Sequence, residues 1–444
     1  MRHVLIIHYH FLPVHNVAVK RLANYASRLP HFGWQPVVLT REWRGLDEAD
    51  ASWGLTWAPE LERAAEYPIY RARETHGSPT RAQAFALEPT VPAPRAWLGR
   101  QTGKAVRKAE RMRRMLLGGY PDEFRGWVRP AVAEGVRVAA RHRLDAILSY
   151  CPPETNHLVA SRLARRLGVP WVPFFADLYG FLDPPLPAHS VEGMLRRAWH
   201  RRCLAPAAAC AAVSPAMVEY LATAYGKRVE LVLTGFDPAA LSAASLPAPP
   251  RDRLVVSHLG SVYPGDQRPE LLFDGLDALL RQHPEVESRL EVRLVGSKCE
   301  AQLRAMLDGR PAARLCILRP KVDAATAMAL LGESHGVLAL TCTAHRDRYG
   351  TLSYPTKIFE AFGAGKPVLA VPSDGDYVDA LLARTGAGAG ARDAGEIAGR
   401  LWEWFDAWSR TGQVPYHGRP AEIADLTLDR QVERLAGLLE SVRA

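Results

Sequence analysis

Short apolar runs alternate along the chain with longer stretches whose apolar residues recur every third or fourth position. "HVLIIHY", "NVAVKRLANYASRL" and "QPVVLT" follow one another at the start; "LDAILSY", "TNHLVASRLARRLG" and "PWVPFFAD" repeat the rhythm from residue 144. In "TNHLVASRLARRLG" Leu158, Val159, Leu163 and Leu167 keep helical spacing, while Arg162, Arg165 and Arg166 fall on the other side. Strand, helix and strand in repetition predict a parallel sheet with helices on its faces. "LSAASLPAPPRDR" (241–253) breaks the rhythm with small residues and prolines, as an interdomain linker would. The pattern then restarts with "LVVSHLG", "RPELLFDGLDALLRQH", "LEVRLVG" and "GVLALT". The reading is α/β, with two doubly wound Rossmann-like domains over 1–240 and 252–415. A last helix within 424–444 carries Leu428, Val432, Leu435 and Leu439 on one stripe, so it must dock against something.

Length supports that division, since 444 residues exceed what one core usually covers and 48% hydrophobic content is enough to bury two. A formal charge of +9 favours anionic partners without choosing among phosphorylated small molecules, acidic lipids and nucleic acid. No motif or aromatic-basic interleaving supports nucleic acid. Six scattered cysteines without a C-x-x-C pair signal neither zinc nor a disulfide framework, so a reduced cytoplasm is expected. "MRHVLIIHYHFLP" reads as a first strand rather than a signal peptide, because His8, His10 and His15 follow too soon. No window approaches the roughly 18 to 20 apolar residues that a membrane span needs. One insertion, 75–130, concentrates Arg95, Arg100, Lys104, Arg107, Lys108, Arg111, Arg113 and Arg114 near Trp97, Met112 and Met115. It is either a helix for an anionic membrane surface, which would put the protein on the inner face of the membrane, or a solvated helix face.

The segment with the most chemistry is "RYGTLSYPTKIFEAFGAGKPVLAV" (348–371). Open parallel sheets bind ligands beyond the carboxyl ends of their strands, where loops enter helices. "GVLALT" is such a strand, and Pro355 stands just before the helix that follows it. The amides of Thr356, Lys357 and Ile358 are therefore expected to face an anion, with Lys357 adding a mobile charge. Glu360, one turn on, is placed to accept hydrogen bonds from a diol, and diphosphate beside ribose describes a nucleotide. Gly363 and Gly365 are expected to end the helix in a left-handed turn. The alternative is a surface i,i+3 ion pair between Lys357 and Glu360.

"PTKIFEAFGAGKPVLAV" resembles the donor-binding signature of glycosyltransferase family 4, nucleotide-sugar enzymes of the GT-B fold. "LSYCPPETNHLVASRLARRLGVPWVPFFADLYG", "AAVSPAMVEYLATAYGKRVELVLTGFD" and "VVSHLGSVYPGDQRPELLFDGLDAL" resemble further family segments in the correct order. The resemblance implies two Rossmann-like domains facing a central cleft, with the C-terminal helix crossing back to the first. It implies that Glu360 holds the nucleotide ribose, and that Ser353, Tyr354, Pro355, Thr356 and Lys357 form or border the diphosphate cradle. Gly260, Ser261 and Arg268 fall where the family approaches the phosphates, and Gly296 with Arg319 to Lys321 where it holds the base. Two positions depart. Leu352 stands where many members have a glutamate on the donor sugar, and Ser261 where an arginine is common; Thr351, Ser353, His345 and Arg346 are the substitutes at hand.

On the acceptor side, "HYHFLPVHN" (8–16) is the loop after the first strand, and His10, His15 and Asn16 are candidates there. Asp177, after "PWVPFFA", is the preferred base or positioning group, with Glu154 and His157 beside it as candidates. Retention of anomeric configuration is what the resemblance implies, by a front-face route in which the leaving phosphate takes the acceptor proton. Such a route relies on Lys357, Arg268 and a helix terminus to offset growing charge. Asp374 and Asp376 form a D-x-D but read as loop residues, so activity without added metal or other cofactor is expected. The implied co-substrate is a UDP- or GDP-sugar and the partner a hydroxyl acceptor, lipid-linked or a soluble natural product. The rivals are a nucleotide-sugar-binding protein without transfer activity and a nucleotide-sugar 2-epimerase of the same fold.

Overall fold

The computed structural model describes residues 1–46, 50, 54–74, 122–178, 191–262, 267–296, 299–341 and 354–443. Its contacts divide the chain into two units: Met1–Val213 with Met217–Val232 and Val432–Ala444, and Ser214–Ala216 with Leu233–Gln431. The division at 232/233 precedes the proline-rich 241–253 stretch, because Phe236 and Leu241 already pack in the second unit, against Gly363. The basic part of the 75–130 insertion lies outside the described residues.

The first unit is built on strands β1 (Arg2–Ile7), β2 (Trp34–Arg41), β3 (Ile69–Ala72), β4 (Leu144–Cys151), β5 (Trp171–Phe175), β6 (Cys210–Ala212) and β7 (Val229–Leu231). They form one seven-stranded sheet in the order β3-β2-β1-β4-β5-β6-β7, every pair parallel. Helices α1 (Val17–Arg28), α2 (Val128–Arg141), α3 (Thr155–Leu167), α4 (Val191–Leu204) and α5 (Pro215–Tyr225) follow in chain order. Helix α1 starts where the Asn16 side chain accepts the Val19 amide at 2.9 Å, and it buries Val19, Leu22, Tyr25 and Ala26 at helical spacing. The interior of β4 and β5 reads as a continuous apolar run because both faces are covered.

In the second unit, α6 (Pro238–Ala243) leads into β8 (Leu254–Leu259), α7 (Pro269–Gln282), β9 (Leu290–Val295), α8 (Glu300–Leu307) and β10 (Cys316–Arg319). Then come α9 (Ala324–Gly332), β11 (Gly336–Leu340), α10 (Lys357–Gly363), β12 (Val368–Val371), α11 (Tyr377–Thr385), β13 (Gly388–Gly390) and α12 (Ala394–Thr411). The sheet order is β10-β9-β8-β11-β12-β13, again all parallel. Its core gathers Leu272, Leu276, Leu279, Leu294, Leu338, Ile397, Leu401 and Trp408.

The closing helix α13 (Leu428–Ser441) buries the striped Leu428, Val432, Leu435 and Leu439. From Val432 onward it belongs to the first unit, where Arg443 lies 3.5 Å from Asp145, Ser441 accepts from Arg228, and Glu440 pairs with Arg2. Two parallel sheets each have all their carboxyl ends on one edge, and each reverses its strand order once: between β1 and β4, and between β8 and β11. Those reversals are where open α/β sheets admit ligands.

Candidate functional site

In the second unit the reversal sets the carboxyl end of β8 beside that of β11, and the described chain resumes at Tyr354 in the segment that enters α10. Tyr354 anchors that segment: it is 8% exposed, its hydroxyl donates to the Tyr377 carbonyl at 3.4 Å, and its ring meets Phe359 and Tyr377 edge-on. Pro355 and Thr356 then turn the chain into α10, whose Ile358, Phe359, Ala361 and Phe362 are buried. The Pro355 carbonyl accepts the Ile358 amide at 3.1 Å, so that amide closes the first turn instead of facing a ligand as the sequence suggested. Lys357 Nζ donates to Glu360 Oε2 at 2.6 Å, on the face of the helix that its core residues leave half-exposed. The ion pair foreseen as the alternative is thus formed, and it holds together the two side chains that the signature assigns to phosphate and ribose. Ser353, Thr351, Leu352, His345 and Arg346 lie outside the described residues.

The helix ends in a Schellman turn: the Lys366 amide reaches the Ala361 carbonyl and the Gly365 amide the Phe362 carbonyl, with Gly365 at φ +64°. Gly363 is glycine for another reason. A Cβ there would lie 2.3 Å from Phe236 Cδ2, so it is close packing, not a left-handed backbone, that the residue serves.

Along the same sheet edge, Gly260 follows β8 and donates to the Val295 carbonyl at 2.9 Å. Gly296 follows β9, adopts φ +97°, donates to the Arg319 carbonyl at 3.0 Å, and passes so near Gly260 that a Cβ on it would be 3.4 Å from the Gly260 oxygen. Gly296 therefore touches both Gly260 and the end of β10, with Ser261 next in the chain and Arg319 and Lys321 exposed. Arg268 caps the start of α7, exposed, 3.9 Å from Glu270. Two residues here escaped the sequence reading: His258, buried at the end of β8, and Gln267, whose amide donates to the Leu340 carbonyl at 2.8 Å. A histidine inside the apolar run "LVVSHL" was the available signal for the first.

The D-x-D at 374–376 has a structural task. Asp374 Oδ1 accepts the Asp376 and Asp379 amides at 3.0 and 3.1 Å, and Oδ2 the Val378 amide at 3.0 Å, closing the start of α11. Asp374→Ala is expected to cost about 2 kcal/mol, the usual scale for a cap bonded through a charged group. Denaturant titration would measure it, with donor affinity retained. Among the described residues no group of three His, Cys, Asp or Glu side chains could hold a metal ion, and no helix is long and apolar enough to cross a membrane.

In the first unit the candidates divide by burial. His10 is 2% exposed and packs against Tyr9, Trp43 and Phe124. The loop after β1 is laced to the turn after β4: His8 Nε2 lies 3.1 Å from the Pro152 carbonyl, and the Tyr9 amide donates to Asn156 Oδ1 at 2.8 Å. Asn16 caps α1, and half-buried His15 pairs with Thr56 in a two-residue antiparallel bridge. Burial lowers the His15 pKa. Glu154 is 3% exposed, with Oε2 3.4 Å from His200 Nε2, and loss of solvent lifts its pKa well above the ordinary carboxylate value. His157 bonds Ser149 Oγ through Nδ1 at 2.8 Å, and burial lowers its pKa to about 3. Glu154 and His157 are interior groups rather than surface bases. Asp177 is exposed, two residues past β5 on the carboxyl edge.

Two Rossmann-like domains with ligand edges of this kind define the GT-B class of fold. The chain belongs to the glycosyl transferase 4-like family, whose model matches residues 16–237, half of its length. Solved structures of similar fold include the HepE protein of Anabaena in complex with UDP-glucose, at 15% identity and a TM-score of 0.58 over 99% of this chain and 100% of that one. The lipopolysaccharide outer core galactosyltransferase WaaB, apo form, is similar at 13% identity and TM-score 0.57 over 99% of both chains. Sucrose-phosphate synthase from Thermosynechococcus elongatus matches at 14% identity and TM-score 0.53 over 100% of this chain and 96% of that one. At such identities the likeness concerns the fold. A comparison with curated protein sequences gives no match.

Proposed function

We propose that this protein transfers a sugar from a nucleoside-diphosphate sugar to a hydroxyl acceptor with retention of anomeric configuration and without a metal ion. The observation that carries the reading is the Lys357–Glu360 pair, half-exposed on the helix that leaves the β11 edge beside the strand-order reversal. A carboxylate there can grip the ribose diol, and a lysine one turn earlier can swing from it to the diphosphate. Arg268 adds a second exposed cation at the start of α7, and the Gly260 and Gly296 turns let backbone approach the nucleotide. A UDP-sugar is the favoured donor, in keeping with the UDP-glucose bound by HepE. Stabilising charge that grows on the leaving diphosphate is the chief catalytic demand of a front-face route, and fixed cations meet it.

The acceptor belongs to the first unit, at the carboxyl edge that carries the His8–Asn16 loop and Asp177. Asp177 is an exposed group there able to orient or deprotonate a hydroxyl; His10 is a buried support of the same loop. The acceptor is a lipid-linked intermediate or a soluble natural product, the former if the basic 75–130 segment meets an anionic membrane surface.

Incubation with UDP-, GDP-, ADP- and TDP-sugars, with soluble and lipid-linked acceptors present, tests the reading. Release of nucleoside diphosphate matched by a glycoside of the donor's anomeric configuration is expected. Isomerised nucleotide sugar would establish the epimerase instead, and binding without turnover a non-enzymatic role.

A further inference from the structure

His258 is the penultimate residue of β8, 6% exposed, directly below the Gly260 turn. Its Nδ1 lies 3.1 Å from the Leu338 carbonyl, which fixes the ring proton on Nδ1 in the neutral form and leaves a lone pair on Nε2. That Nε2 is buried and, among the described residues, makes no hydrogen bond of good geometry, although the Gly260 and Ser261 backbone lies within interaction range of the ring. It sits 3.7 Å from where a Cβ on Gly260 would be. A buried nitrogen without a well-formed hydrogen bond is costly, so its presence calls for a reason. The backbone of Gly260 and Ser261 beside the ring favours the protonated form, and only burial opposes it. A lone pair facing that backbone becomes useful once it carries a proton.

We propose that His258 is a positioning residue of the donor site: on binding a nucleoside-diphosphate sugar it takes up a proton from solvent. As an imidazolium it donates Nδ1–H to the Leu338 carbonyl and Nε2–H to the Gly260–Ser261 turn, holding that turn against the diphosphate. The inference rests on the donor-site reading given above.

The surroundings leave this role to His258. Its register partner on β9 is Leu294, and Leu338 on β11 is likewise apolar. Glu291 and Arg293 pair in register with Val255 and Ser257, hence on the opposite face, where Arg293 also reaches Glu333. The charged groups from the helices at this edge are Arg268 and Glu270 of α7 and Lys357 and Glu360 of α10, each partly exposed and each paired with the other on its own element. Burial holds the His258 pKa below the ordinary value, so the ring is neutral near pH 7 in the free protein. A diphosphate carrying two negative charges raises it. By linkage, donor affinity then increases as pH falls from the raised bound-state pKa towards the lower free-state one.

Isothermal calorimetry with UDP-glucose, whose diphosphate stays fully ionised over this range, tests the proposal on the intact protein. Binding near neutral pH in buffers of different ionisation enthalpy is expected to show net proton uptake. Affinity should be up to about tenfold tighter at about pH 6 than at about pH 8. In His258→Gln, whose amide fills similar space without a titratable charge, both uptake and pH dependence should vanish, with melting temperature as the control for folding. Should that variant not fold, uptake in the wild type still decides. UDP-glucose binding without proton uptake, or the same uptake in His258→Gln, overturns the role of His258 and leaves the donor site standing. Failure of UDP-, GDP-, ADP- and TDP-glucose to bind at either pH overturns the donor site itself.

Discussion

Glu360→Ala is expected to lower kcat/KM for the nucleotide sugar by about 100-fold or more, chiefly through KM. A carboxylate that accepts two hydroxyls makes two charge-assisted hydrogen bonds of roughly 1.5–3 kcal/mol each, and every 1.4 kcal/mol or so is tenfold. In the proposed site the ribose is remote from the bond that breaks, so its grip is equally strong in ground and transition states and its loss raises KM. The fold should tolerate the change. Buried Ile358, Phe359, Ala361 and Phe362 seat the helix, whereas Glu360 makes a partly exposed ion pair worth about 0–1 kcal/mol. Lys357→Ala should behave differently: it frees Glu360 from its 2.6 Å partner while removing the charge proposed to meet the diphosphate, so kcat falls along with affinity, by about tenfold. Steady-state kinetics on purified variants with unchanged melting temperatures checks both. A Glu360→Ala enzyme with unaltered KM would remove the pentose from this helix.

The architecture was legible because buried parallel strands read as unbroken apolar runs and their crossover helices as 3.6-residue stripes. "HVLII", "AILSY" and "GVLAL" have few other readings. The helix carrying Lys357 and Glu360 was legible for the same reason, bounded by Pro355 and Gly365. Hydrogen-bond destinations were not. Sequence places the Ile358 amide at a helix start but cannot say that Pro355 will accept it, nor that Asp374 will spend both oxygens on three amides. Burial of polar groups was equally hidden: Glu154 and His157 look like edge residues after "SYCPP", yet both sink into the interior towards His200 and Ser149, partners 46 and 8 residues away. Gly363 was assigned to turn geometry because its neighbour Gly365 serves it. The close approach of Phe236, more than a hundred residues earlier, has no local trace.

That approach supplies the other large effect. Gly363→Val is expected to destabilise the second unit by about 3 kcal/mol and to reduce donor binding together with stability. Even the Cβ would lie 2.3 Å from Phe236 Cδ2 and 2.5 Å from Leu241 Cδ1, both side chains buried, so α10 must shift or the two must leave their rotamers. Alanine gains up to about 1 kcal/mol of helix propensity against the same clash and should cost less, about 1–2 kcal/mol. Gly365→Ala makes the useful contrast, because a Cβ there meets open space and the penalty of about 1–2 kcal/mol is purely that of a left-handed backbone. Leu241→Ala removes one of the two obstructing groups. Combined with Gly363→Ala it should be less destabilising than the two changes summed, a coupling expected of residues in contact. Denaturant unfolding of the four proteins in that cycle gives the coupling, and donor titration of each shows whether Glu360 moves with its helix. Additive losses would mean that α10 yields as a body, with Phe236 alone setting its seat.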